Sequence, residues 1–356
     1  MLKLIALTSI KIPPFRLIFL IIISFILFSF ATCKTDSRPS LLIYSPHGTE
    51  LLEIMKVQFE EKHPGIVVRY LDLSSQEIYD RVNLERANVQ ADIWWGASAI
   101  TFSKAAEEGL FEPYRPTWAE KIPETARDNQ DRWYGTFQTP EVIVYNQVAV
   151  KEEDIPKDWD DLLDPKWKGR LIIRDPVRSD TMRTIFGAMI LRQWQPSQTA
   201  DAGYNWLRKL DTNTREYTVD GTVLLQKLAR QEGLISLWDL PDVASAINRQ
   251  KLPLSFCIPS SGTPLVIDGI AIIKGTPQLK IAQEFYEFVT TEENLLLAAR
   301  DFYHPPLRTD IDKAKLPEWL SKIEINPMPV DQTLYRTNIQ DWMRYWDSQI
   351  RNQNNR

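Results

Sequence analysis

The chain is poor in the residues that carry covalent and catalytic chemistry. Its 356 residues include two cysteines, Cys33 and Cys257, and three histidines, His47, His63 and His304. Two thiols do not make the framework of a disulfide-stapled domain. Cys257, within the apolar run LPLSFCIPS, reads as a small buried hydrophobe, since no histidine stands near it in sequence. There is no GxSxG, HExxH, CxxC pair, P-loop or glycine-rich dinucleotide turn. An enzyme of this size needs a nucleophile with a base, a metal cluster or a cofactor loop. None is readable, so neither catalysis nor a cofactor is expected, and the paired acids of EEDIPKDWDD read as a solvated acidic loop. An excess of positive charge is lacking too. Lysine and arginine total 42 against 47 acids, a net charge of −5, which disfavours nucleic acid as a partner.

What is present begins at the N-terminus. Lys3, Lys11 and Arg16 precede an uncharged run of 16 residues from Leu17 to Thr32, the basic-then-apolar order of a secretory signal. That run falls just under the roughly 17–25 residues a membrane-spanning helix needs. The stretch SFATCKTDSRPS around Cys33 resembles a bacterial lipobox, although Phe30 and Thr32 replace the Leu and the Gly or Ala more common there. Residues 1–33 are therefore expected to be a signal peptide, Cys33 a lipidation site and residues 34–40 a linker. The mature chain is expected at the cell envelope, anchored through lipid on Cys33 or free in the periplasm.

Strands and helices then alternate. SLLIYS and IVVRYLDL are β-rich runs around ELLEIMKVQFEEKH, whose apolar residues mostly form one helical face ended by Pro64-Gly65. SQEIYDRVNLERANV predicts a second helix, ADIWWG a third strand and SAITFSKAAEEGLFE a third helix. A second α/β block follows the extended GTFQTPEVIVYNQ, and includes the strand RLIIRDP, the helix SDTMRTIFGAMILRQW and the strand LISLWDL. The late strand in GTPLVIDGIAIIKGTPQ, and LKIAQEFYEFVTTEENLLLAA read as one long helix, suit a chain that returns to its first block. The expected fold is α/β and bilobal, two α/β lobes joined by a two-crossing hinge. Residues 41–140 with 265–302 form lobe 1, and 141–264 with 303–356 form lobe 2.

With these segments in order, the chain resembles the substrate-binding proteins of bacterial ABC importers. The likeness is to the type II periplasmic-binding fold, in the branch with ferric-binding and sugar-phosphate-binding members. It rests on LLIYSPHGTELLEIMKVQFEEKHPGIVV, ADIWWGASAITFSKAAEEGLFEPY, LLDPKWKGRLIIRDPVRSDTMRTIFGAMI, VDGTVLLQKLARQEG and PLVIDGIAIIKGTP. The resemblance implies a monomeric receptor that closes on a small solute and delivers it to a membrane permease and its ATPase. The alternatives are a tethered sensor that presents its closed form to a signalling partner, and a direct ferric-iron binder.

In open α/β sheets, ligands bind beyond the carboxyl ends of strands, where helix starts present free N–H groups and a positive dipole end. Three turns have this form: Ser45, His47 and Gly48; WGAS ending at Ser98; and DPVRSDT with Arg178, Ser179 and Thr181. Arg178 can fork onto a phosphate or carboxylate. For each serine and threonine the alternative is plain helix capping. Asp180 opposes a fully anionic ligand and suits an amine or a metal. Among the aromatics at expected strand ends (Trp94, Trp95, Tyr145 and Trp238), Trp238 in WDLPD lies, with Asp239, where the family places ligand contacts. The resemblance also makes His47 a candidate metal ligand. The rest of the ferric set is missing, because Trp238 and Asp239 stand where relatives have paired tyrosines, and Ala97 and Ser98 offer no carboxylate. The expected ligand is a small anionic or organic solute, or an iron chelate.

Overall fold

Ten strands form one continuous sheet in the order β2-β1-β3-β10-β5-β8-β6-β7, with β4 beside β10 and β9 beside β5. The computed structural model describes residues 38–194 and 198–351; the expected signal peptide, and Cys33 with it, lies outside the described residues. In the first half, β1 (Ser40–Ser45), β2 (Val67–Asp72) and β3 (Ile93–Ser98) run parallel, joined by α1 (Thr49–Lys62) and α2 (Ser75–Leu84). After α3 (Ala99–Glu107) and β4 (Phe111–Glu112) comes the 13-residue β5 (Tyr134–Asn146). In the second half, β6 (Leu171–Arg174), α4 (Asp180–Arg192), α5 (Asp201–Asn213), β7 (Thr214–Thr218), α6 (Gly221–Ala229), β8 (Ile235–Asp239), α7 (Leu240–Asn248) and β9 (Leu254–Cys257) follow one another. β10 (Leu265–Ile273) then returns antiparallel to β3 and β5, followed by α8 (Leu279–Val289), α9 (Glu292–Phe302), the short α10 (Glu318–Ser321) and α11 (Gln332–Gln349).

The two-residue period of the strands sorts side chains between the layers. Ile43 and Trp95 face a core with Phe59, Phe285 and Tyr286, whereas their neighbours Tyr44 and Trp94 face one with Ile78 and Phe102. Every residue of β3 is buried, as expected of a central strand covered on both faces. The second half has its own core of Val142, Ile173, Phe186, Trp238 and Trp346, to which α11 contributes.

The segment expected as one helix over 279–299 is two. Thr290 turns its hydroxyl back onto the Tyr286 carbonyl at 2.7 Å, and Thr291 caps α9 by accepting from the Asn294 N–H at 3.3 Å. Such side-chain bonds give the backbone an exit from the helix.

β5 belongs to both halves: Tyr134–Pro140 lies against β10, and Glu141–Asn146 against β8 and β9. The return through Thr263 is a second crossing. A third runs beside it, with the Thr263 N–H donating to Asn326 O (2.8 Å) and the Met328 N–H to Thr263 O (2.7 Å). Leu307 and Ile311, within the 303–356 stretch assigned from the sequence to lobe 2, are buried in the first half's core. They are held there because this stretch pairs along β5, Gln138 N–H to Pro305 O and Leu307 N–H to Thr136 O. The chain from Ser40 on forms one compact unit. Among the described residues, no helix is long and apolar enough to cross a membrane.

Candidate functional site

The carboxyl ends of the parallel strands carry Ser45, Asp72 and Ser98 in the first half and Arg174, Thr218 and Asp239 in the second. These ends meet at the seam between the halves. Ser98 caps α3, accepting from the Thr101 N–H at 3.3 Å, and Ser179 caps α4, accepting from the Met182 N–H at 3.3 Å. Asp180, the first residue of α4, reaches across. Its Oδ2 accepts from the Ser98 N–H (3.2 Å), the Ser98 hydroxyl (3.1 Å) and the Thr101 hydroxyl (2.8 Å). Arg183 pairs with its other oxygen at 3.0 Å and donates to Gln76 of the first half at 3.1 Å. The α3 N-terminus, expected from the sequence to cradle an anionic ligand, is filled by a carboxylate of the protein itself. Thr181 follows, partly buried, in the same turn of α4.

Ser45 is fully buried, with Oγ 3.2 Å from His47 Nδ1. Gly48 adopts φ +80° ahead of α1, a conformation that costs glycine nothing, and its N–H donates to Asp72. His47 packs edge-on to Trp95 (4.8 Å between centroids), Phe137 (5.5 Å) and His304 (5.2 Å). Its Nε2 is buried without a hydrogen-bond partner and faces Gly96, where a Cβ would come within 3.0 Å of it. Burial, then the His304 charge, hold the His47 pKa well below 6.5. Among the described residues no three of His, Cys, Asp and Glu are grouped to hold a metal ion, so no ligand set joins the imidazole of His47 there. His304, whose place beside Pro305 and Pro306 reads from the sequence as a surface turn, is instead buried, stacked on Phe137 at 4.8 Å, with burial lowering its pKa to about 4.

Trp238 also departs from expectation. Its ring is fully buried, so no face is open to stack on a ligand. It packs against Gly221, carries the Arg174 guanidinium 5.1 Å above it and donates Nε1–H to Asp242 at 3.0 Å. It is a prop for those two charged groups. Arg178 is exposed, and its charge helps to hold the Glu77 carboxyl down, behind the stronger hydrogen bonds from Ser74.

Asp239 was named from the sequence; the residues that sequence reasoning missed, Glu141, Asp242 and Asp268, are the acids around it. Asp239 caps α7, accepting from the Asp242 N–H at 2.9 Å, and faces Glu141 directly across the β5–β8 pair. Asp268 on β10 accepts from the Thr139 hydroxyl at 2.8 Å and from the Ala97 N–H. Ala97 holds φ +143° beside Gly96 at +98°, a strained kink where β10 and β3 slip register. Burial, reinforced by mutual repulsion, raises these acids: Asp268 to about 7, Glu141 and Asp239 well above the usual range. Asp242 is raised as well, mainly by burial; its side chain is exposed and lies close enough to Asp72 of the other half to raise that carboxyl too, which places it in the cleft between the halves at the seam. The signal in the sequence was faint: a single acid, Glu141, in the apolar run before VIVY, and acids at strand ends.

A mixed sheet with three cores, three chain crossings and strand ends converging on one seam defines a two-lobed α/β binding protein. The chain belongs to the bacterial extracellular solute-binding protein family, whose model matches residues 91–326. This is a family of solute-binding proteins, not of enzymes. The chain is 26% identical over 324 residues to the probable ABC transporter periplasmic-binding protein y4fP of Sinorhizobium fredii, covering 88% of this chain and 87% of that one. It is 25% identical to iron uptake protein A1 of Synechocystis over 68% of this chain and 69% of the relative. The fold matches the periplasmic binding protein AfuA of Actinobacillus pleuropneumoniae, solved with fructose 6-phosphate, with a TM-score of 0.75, 24% identity and coverage of 88% and 99%.

Proposed function

We propose that this chain is the receptor of an ABC importer, capturing one small organic solute between its two lobes and delivering it to a permease driven by a separate ATPase. The observation that carries this reading is the seam, where strand ends of both halves converge and Asp180 of one half is bonded to Ser98 and Thr101 of the other. The crossings at Glu141, Thr263 and Asn326 are the hinge, and the solute favours the closed form through contacts available only there. The receptor acts as a monomer, exported by its N-terminal signal and tethered through lipid on Cys33.

Although one relative is named for iron uptake, bare ferric ion is poorly served here. Hard trivalent iron wants several anionic oxygens around one point, and His47 stands among rings instead. The test is mass spectrometry of the chain purified from its host's envelope. A single co-purifying organic solute, released on denaturation and rebinding saturably, is the expected result. Iron as the only cargo contradicts the reading. The mass of the mature N-terminus reports cleavage and lipid at Cys33 in the same sample.

A further inference from the structure

We propose that the seam recognises a primary ammonium group of its solute, held by Asp242, Asp239 and Asp268 with Glu141 behind them. This rests on the reading of the chain as a solute receptor and names the charge of the solute.

At each of five helix starts at the seam the protein already takes a backbone donor. The Gly48 N–H before α1 is bonded to Asp72, and α3 is filled by Asp180. Asp220 caps α6 through the Val223 N–H at 2.9 Å, Asp239 caps α7, and Ser179 caps α4. An incoming anion would meet the carboxylates at α1, α3, α6 and α7 ahead of the N–H groups that remain, and like charges repel strongly where water is scarce.

Glu141 points independently to a cation. Its side chain is completely buried, and neither carboxyl oxygen has a hydrogen-bond partner. Its electrostatic neighbours are Asp239, Asp268 and Asp242, so it faces the acids that line the cleft. A buried polar group left unpaired is costly, and one in a native site calls for a missing partner. An ammonium in front of this group supplies hydrogen-bond donors and opposite charge together. Among the described residues no three acids are close enough together to coordinate a metal ion directly, whereas an ammonium stands at hydrogen-bond distance, about 2.8 Å, from each carboxylate and accepts a wider set. Arg174 faces the same acids, but it is committed to the Val219 carbonyl at 3.1 Å and the Trp238 ring, and one guanidinium does not balance them.

Two kinds of solute carry this group, diamines and zwitterions whose anionic end would meet Arg174. Calorimetric titration of the Ser40–Arg356 unit with 1,4-diaminobutane, 4-aminobutanoate and succinate separates them, since the three share a four-carbon span and differ in charge. At least one of the two amines binds and succinate does not. Asp242→Asn and Asp268→Asn each weaken the amine by at least about tenfold, the loss expected for a charge-assisted bond, while melting stays close to that of the parent. Arg174→Gln leaves diaminobutane as tight or tighter and weakens 4-aminobutanoate. Amine binding that ignores both acid variants overturns the proposal. So does binding of succinate alone, abolished by Arg174→Gln, although the receptor reading then stands with the opposite charge. Binding of none of the three also overturns it, and the co-purified solute then decides the receptor reading separately.

Discussion

Asp180 caps a helix that belongs to the other half of the molecule: its Oδ2 takes the Ser98 N–H and the Ser98 and Thr101 hydroxyls at the start of α3. The bond network ties the two halves to each other, so opening them would break it. Hydrogen bonds to a charged group are worth roughly 1.5–3 kcal/mol each, less where water competes. Asp180→Ala is therefore expected to shift the population toward the open form and weaken the solute by about tenfold or more. Small-angle scattering checks this. A radius of gyration that rises in the variant agrees, and an unchanged one removes Asp180 as a latch.

The buried acids set a pH dependence. Asp268, at about 7, binds protons in the native state that the unfolded chain has released, and Glu141 and Asp239 lean the same way. Stability of the unliganded chain therefore falls as pH rises from the unfolded carboxyl range through 7. The depressed histidines His47 and His304 oppose this below about 6.5, where the unfolded chain takes up protons they refuse. The unfolded histidines stay partly protonated up to about pH 7.5, so the two of them offset much of the Asp268 loss in the parent itself. The difference in urea-unfolding stability between the parent and Asp268→Asn cancels the histidines and is expected to fall by on the order of 1 kcal/mol between about pH 6.5 and 8. A difference that stays level or rises over this interval contradicts the assignment.

Packing beneath the seam is equally testable. A Cβ on Gly221 would lie 2.4 Å from Trp238 Cζ2 and 2.8 Å from Cη2, in a ring with no room to retreat. Overpacking of this kind costs about 1–3 kcal/mol, against at most about 1 kcal/mol gained in helix propensity. Gly221→Ala should lower the urea midpoint, and a raised midpoint would show that the tryptophan moves freely.

Arg178 provides a contrast. It was the sequence's best candidate for gripping an anion, yet it is exposed at the edge of the seam beside Glu77. Exposed charge pairs contribute about 0–1 kcal/mol. Arg178→Ala is expected to leave the solute's dissociation constant within about twofold by titration, and a larger loss would bring Arg178 into the site.

The strand and helix pattern was legible because it depends on local periodicity, visible in the alternation of Ile43 with Tyr44 and of Trp94 with Trp95 between two cores. The turns at Ser45, Ser98 and Ser179 were legible for the same reason, since helix starts announce themselves with hydroxyls. What those turns hold was not. Asp180 reaches its partner helix end from the start of a helix in the other half and Asp72 from the neighbouring strand, and such partnerships depend on tertiary contacts. The burial of Trp238 was hidden because a tryptophan at a strand end can face a ligand or the core, and Gly221, well before it in sequence, decides which. Glu141 and Asp268 lie in apolar strands, where an acid looks like an interruption until the fold sets Asp239 opposite Glu141 and brings Asp268 near both.

The most direct test of the account is scattering from the Ser40–Arg356 unit titrated with the same three four-carbon solutes. A receptor that closes its seam on an ammonium group contracts saturably with diaminobutane or 4-aminobutanoate and is unmoved by succinate. Contraction with succinate alone, or a radius of gyration indifferent to all three, would contradict it.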